Sequence, residues 1–540
     1  MSPIKKIFIF SSILASALSA RAQTLTVDAG TFYTFPSEYE IIGISDWEGY
    51  DADYTTATVN GTLTLTEDQT LEIDKASDYS SKKNSMYIGN TGTFNSYGQT
   101  NIFAGKINLY GVFNHENSVL NIGSSGASAQ LYVQSGGTLN ASDIQVLNAT
   151  YSNLRVEGTV NASGTISVYS NTQGNSGLLV SSGGLVNAKQ IAIMGGKAEI
   201  SSGGAATVED VYVDKTNGGT LLVQNGGTLN INSSTDLSML SNANIRGTLN
   251  INSGTVSTFG SSGLIMNNAT INMKNGTRFY VKDATGTDTS ANYTFVAKNG
   301  NCAINLHGDA KIDLSLSQGG NDLKISDYPA NTGGYTKLTI SAGTQGAIVS
   351  DKITIVDGVK SGASVRDGTL VLNTKNIFIG SKGEHNSLIV MGSGAEAELV
   401  VNADAKFGKV SYQNSCTLVV TLGDSGVLVL NSLDQGSDFA NTKYARLTIN
   451  EFENNRIFFL NMDEVGKMTG TAKPGYTVDI TATLSDGETV FHNEDLEMVA
   501  GEFDGASGWW LNSPLIPEPA EWAAILGAVS LLIASRRKRA

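Results

Sequence analysis

Apolar and polar residues alternate along much of this chain in short bursts. In Thr228-Leu229-Asn230-Ile231-Asn232, Leu229 and Ile231 fall on one side and Thr228, Asn230 and Asn232 on the other. A period of two predicts β-strands with one buried and one hydrated face. The phrase Gly227-Thr228-Leu229-Asn230-Ile231-Asn232-Ser233 returns unchanged as Gly247-Thr248-Leu249-Asn250-Ile251-Asn252-Ser253. Related turns begin at Gly136-Gly137-Thr138-Leu139-Asn140, Gly158-Thr159-Val160-Asn161, Gly183-Gly184-Leu185-Val186-Asn187 and Gly203-Gly204-Ala205-Ala206. The aligned glycines are Gly137, Gly158, Gly184, Gly204, Gly227 and Gly247. Glycine reaches positive φ without steric cost, so each is expected to make a sharp corner before a strand.

Between the corners sit further apolar pieces such as Leu131-Tyr132-Val133, Ile144-Gln145-Val146-Leu147, Leu178-Leu179-Val180, Ile191-Ala192-Ile193 and Val211-Tyr212-Val213. Two or three strands per repeat of roughly 22 residues describe one coil of a right-handed parallel β-helix, or β-solenoid. Inward Leu, Val and Ile are buried only by stacking on the next coil, and outward Asn, Ser and Thr are placed to form ladders along the stack. About 350 residues would make roughly 16 coils and a rod of ~75 Å at ~4.8 Å per strand. The rhythm is strongest over 130–279. It is lost over 280–335, where an irregular coil or insertion is expected, with Pro329 and Gly333-Gly334 marking a loop. It returns over 336–439 in Gly368-Thr369-Leu370-Val371-Leu372-Asn373 and Gly426-Val427-Leu428-Val429-Leu430-Asn431. Thr62-Leu63-Thr64-Leu65 places early coils and an N-terminal cap in 23–129. Glycine thins over 440–513 while Phe452, Phe458 and Phe459 appear, predicting a C-terminal β cap over the last open edge.

Composition supports this reading. Sixty glycines against seven prolines suit many tight turns, and 16% charged residues with 40% hydrophobic ones are unlike a disordered chain. The formal net charge is −15, and Lys5, Lys6, Arg21, Arg536, Arg537, Lys538 and Arg539 sit in the end segments, leaving the body more acidic still. Such a body repels phosphate backbones, so no nucleic-acid partner is expected. Cys302 and Cys416 each lie in an apolar stretch, as two buried thiols or as one disulfide.

Chemistry is sparse. His115, His307, His385 and His492 occur singly, without metal-ligand spacing, and there is no G-x-S-x-G elbow or phosphate loop. Adjacent coils can bring distant acids together, which makes Glu209, Asp210, Asp214 and Lys215 the densest charged group in the regular region, with Asp51-Ala52-Asp53 a second. Solvated outward positions on a polar rod account for both. Gly319-Gly320-Asn321-Asp322-Leu323 occurs once and cannot build a stacked calcium site. Trp509-Trp510 is expected to pack in the cap, and Tyr132, Tyr169 and Tyr212 to face outward. No catalytic residue, metal or cofactor follows.

The ends read as addresses. Lys5-Lys6, an apolar run from Ile7 to Leu18 and Ala20-Arg21-Ala22 form a signal peptide over 1–22, with cleavage before Gln23. At the other end, 514–540 holds Pro517-Glu518-Pro519, Trp522, an apolar stretch to Ala534, and Arg536-Arg537-Lys538-Arg539, a short membrane helix with its basic end in the cytoplasm. These last residues match, in order, the parts of the PEP-CTERM sorting signal, and the tail resembles that family. The resemblance implies an exosortase-type protease as partner, at least transient membrane anchoring, then delivery to the cell surface or extracellular matrix. The Gly-Gly-Thr-Leu-Asn-type turns are similar to those of autotransporter passenger domains and autotransporter-associated repeat proteins, although the basic helix expected after the body, in place of their membrane barrel, does not support self-transport. Together these features predict a non-enzymatic structural or adhesive surface protein with extracellular polysaccharide as a candidate ligand. The alternative is an extracellular polysaccharide-degrading β-helix enzyme; a passive spacer presenting the cap is a third option.

Overall fold

The alternation becomes register. In the computed structural model, Thr228–Asn232 pairs in parallel with Thr248–Ser253, setting Leu229 over Leu249 and Ile231 over Ile251. All four side chains are fully buried. A slip of one residue would turn them outward, so burial locks the pairing. The structure describes residues 23–516 apart from internal stretches, the longest being 74–83, 282–293, 326–335 and 357–367, together with Ala528 and Ser530. Its described elements are β-strands, 49 of them in one continuous sheet, and a short 3₁₀ turn at Asn493–Asp495.

Strands pair with the equivalent strand one coil away, not with their sequence neighbours. The result is a stack of solenoid-like coils, each with three runs of strand. One interior column reads Leu139, Val160, Val186, Ala206, Leu229, Leu249, Ile271 and Ile304, each in parallel register with the next. Every member is buried. Higher in that column Phe94 and Phe113 stack at 4.7 Å between ring centres. Burying a Leu, Val or Ile contributes about 1.5–3 kcal/mol, and here that gain depends on the coils above and below.

The aligned glycines do not serve the role read from the sequence. At four of the six corners positive φ belongs to the preceding glycine, Gly136, Gly183, Gly203 or Gly226, and at the other two neither Glu157 nor Arg246 adopts it. Gly137, Gly158, Gly184, Gly204, Gly227 and Gly247 are outside that region and are needed for close approach instead. A Cβ at Gly227 would lie 2.6 Å from the Ile200 carbonyl oxygen and 3.0 Å from that of Ser201, both backbone atoms of the preceding coil. The corner is tight because coils touch there, which a single coil's sequence does not reveal.

The described strands within 280–335 keep parallel stacking despite the lost rhythm, while the expected loop at Pro329 and Gly333-Gly334 lies outside the described residues. Thr294–Ala297, Gly300–Leu306, Lys311–Asp313 and Asp322–Ile325 each pair with the neighbouring coil. Here the spacing between stacked residues lengthens, to 33 from Asn272 to Asn305. The segment 440–513 divides in two. Ala445–Asn450 and Asp479–Thr483 continue the parallel stack. Val490–His492 and the hairpin of Glu497–Phe503 with Ala506–Asn512 then run antiparallel, the hairpin closing onto Ile457–Phe459. Reversed strands offer no further parallel edge.

Cys302 and Cys416 are both buried, and neither is in a disulfide. Among the described residues no helix is long and apolar enough to cross a membrane. Apart from Ala528 and Ser530, the expected membrane helix lies outside the described residues, as do the sorting residues Pro517, Glu518, Pro519, Trp522 and Arg536–Arg539 and the signal-peptide residues Ala20 and Ala22; Gln23 opens the first strand, Gln23–Val27.

Candidate ligand groove

Outward asparagines at one register position form a hydrogen-bonded ladder. The Nδ2 of Asn114 donates to Asn95 Oδ1 at 2.9 Å, Asn140 to Asn114 at 2.8 Å, Asn161 to Asn140 at 2.9 Å and Asn187 to Asn161 at 2.9 Å. Thr207 interrupts the amides and accepts from Asn230 at 3.1 Å; Asn250, Asn272 and Asn305 then continue at 2.8 Å each. Each amide has two donors and an oxygen with two lone pairs, so stacking uses only part of its capacity.

One residue beyond this ladder, the chain turns from the first run of strand to the second. In the later coils the inward residue there is large: Ile231, Ile251, Met273 and Leu306 in register. In the earlier coils it is Ala141, Ala162 and Ala188. Those small side chains leave a groove of about 690 Å³ running along the stack from His115 to Asn232. Asn140, Asn161 and Asn187 form one wall, Ser142, Ser163, Lys189 and Glu209 line the other side, and Glu116 stands at the His115 end. Lys189, Glu209 and Glu116 are solvent-exposed.

His115 is fully buried, with its ring edge-on to Phe113 and its Nε2 3.3 Å from Ser118 Oγ; its Nδ1 has no partner. Desolvation lowers its pKa to about 4, so the ring is neutral near pH 7. The groove was missed from sequence because its alanines come from three separate coils. The signal available was the change from Ile, Met and Leu to Ala at one aligned position.

The predicted acidic group does not converge. Glu209 points into the groove, whereas Asp210 is 5% exposed and accepts a 2.7 Å hydrogen bond from Ser233 Oγ. Asp214 follows the end of the strand Ala205–Val213, and Lys215 lies outside the described residues. The side chains of Asp51, Ala52 and Asp53, the residues Gly319-Gly320-Asn321, and His385 also lie outside them. His307 and His492 are exposed. Among the described residues no three His, Cys, Asp or Glu groups gather in a metal-holding arrangement.

Tyr132 lies between two cations, Lys106 Nζ at 4.7 Å and the Arg155 guanidinium at 4.6 Å from its ring centre. Burial, then a hydrogen bond with Glu157, pushes its hydroxyl up to about 12. Arg155 also pairs with Glu157 at 2.7 Å. Tyr169 is 37% exposed, while Trp510 packs in the end structure at 4.7 Å from Phe458. No known family model matches this chain, and no curated protein sequence matches it.

Proposed function

We propose that this protein is an exported structural or adhesive rod of the cell surface or extracellular matrix, delivered through its PEP-CTERM-like tail. The observation that carries the reading is the ladder of partly satisfied amides repeated from coil to coil on a stacked, apolar-cored body. Such a surface makes many weak, identical contacts with a repetitive partner, and their sum gains strength through avidity. Its polar groups sit on backbone held by coil-to-coil pairing, so little ordering is required at binding. We read the coil as right-handed, the hand that strand twist favours for parallel connections.

The tail supplies the route: a short apolar stretch followed by Arg536-Arg537-Lys538-Arg539 enters the membrane with its basic end inside, and an exosortase-type protease acts near Pro517-Glu518-Pro519. Fractionation of the native host with and without its sorting protease tests this. The expected result is surface or matrix protein in the parent and a larger membrane-retained form in the mutant. Identical size and location in both strains would refute the sorting route.

A further inference from the structure

We infer that the groove between His115 and Asn232 is a binding site for a single extended, uncharged β-linked glycan chain lying along the rod; this rests on the surface-protein reading above. The shape comes first. The groove spans five coil steps, about 24 Å at ~4.8 Å per step, and opens to solvent along its length. A linear polymer fits such a trough, whereas a compact ligand leaves most of it empty.

The chemistry of the walls then selects the polymer. In Asn140 and Asn161 one N–H is given to the preceding coil and one oxygen lone pair is taken by the following amide. Each retains one N–H donor and one acceptor lone pair, the complement of a sugar hydroxyl that both accepts and donates. These pairs recur once per coil, a spacing comparable with one sugar ring of an extended chain. The alanine floor provides an apolar strip for the C–H face of the rings. Among the described lining residues Glu116 and Glu209 outnumber the one cation, Lys189, and on a chain of net charge −15 they disfavour a polyanion.

The test uses the full chain in detergent, with cellohexaose and mixed-linkage β-glucan as neutral probes and polygalacturonate as the anionic one. Two variants fill the groove: Ala162→Leu, which introduces the kind of bulk found at Ile231, and Ser163→Trp, at an exposed position that leaves the core untouched. Binding of the neutral probes, at least tenfold weaker in both variants and with no shortening of the chains, is the expected result. Unchanged binding in the variants would remove the groove as the site while leaving the adhesive reading intact. Tighter binding of polygalacturonate, release of shorter sugars, or failure of the parent to bind either neutral probe would overturn the inference. The surface assignment is judged separately by the fractionation experiment.

Discussion

Gly136 and Gly137 are adjacent, yet alanine should act on them through different physics. Gly136 holds φ +85° with nothing within 4 Å of an added Cβ, so Gly136→Ala carries only the left-handed backbone penalty, about 1–2 kcal/mol. At Gly137 the added Cβ collides with the Leu109 carbonyl oxygen, lies 3.0 Å from its carbon, and 3.1 Å from the Gln134 oxygen. Those oxygens cannot swing away freely, because Leu109 accepts from the Gln134 N–H and Gln134 from the Gly137 N–H, both at 2.8 Å. Overpacking of about 1–3 kcal/mol and a weakened coil-to-coil bond of about 0.5–1.5 kcal/mol together predict ~1.5–4.5 kcal/mol for Gly137→Ala. Urea unfolding, with hydrogen exchange of amides 129–146 to localise the effect, measures both. Gly136→Asn should recover part of the Gly136→Ala loss, since asparagine tolerates the left-handed region. Equal losses at the two positions, or a Gly137→Ala loss below about 1 kcal/mol, would refute close approach as the reason for the aligned glycines.

Asn161→Ala removes one ladder bond above and one below, so a loss of about 1–3 kcal/mol is expected, toward the lower end because water reaches these side chains; denaturant midpoints check it. His115 is harder to protonate in the folded chain than when unfolded. Its contribution is intact above about pH 6.5 and falls as pH drops toward 4, by roughly 3 kcal/mol in full, so stability measured across that window should flatten in His115→Asn relative to the parent. Cys302 and Cys416 stand four coil steps apart, about 19 Å at ~4.8 Å per step and far beyond the ~7 Å limit between bridged Cα atoms. Electrophoretic mobility should therefore be the same with and without reductant, and thiol labelling should require denaturant.

Much of the fold was legible because a strand's inward and outward faces are written in adjacent residues. Leu229 and Ile231 share a face by simple alternation, and the unchanged repeat at Leu249 and Ile251 places them in register one coil on. The outward asparagines were likewise readable as ladder-forming positions. Which glycine turns the chain and which admits the neighbouring coil was decided only by the packed structure, since the difference is the proximity of another coil's carbonyl. The same holds for the continued stacking through Gly300–Leu306, where extra residues stretch the sequence spacing without breaking the register. The groove exists because Ala141, Ala162 and Ala188, drawn from repeats of unequal length, fall one above another. Side-chain facing is a property of nearest neighbours along the chain; a shared wall between coils depends on loop lengths and register, which are resolved only when the whole stack buries its interior.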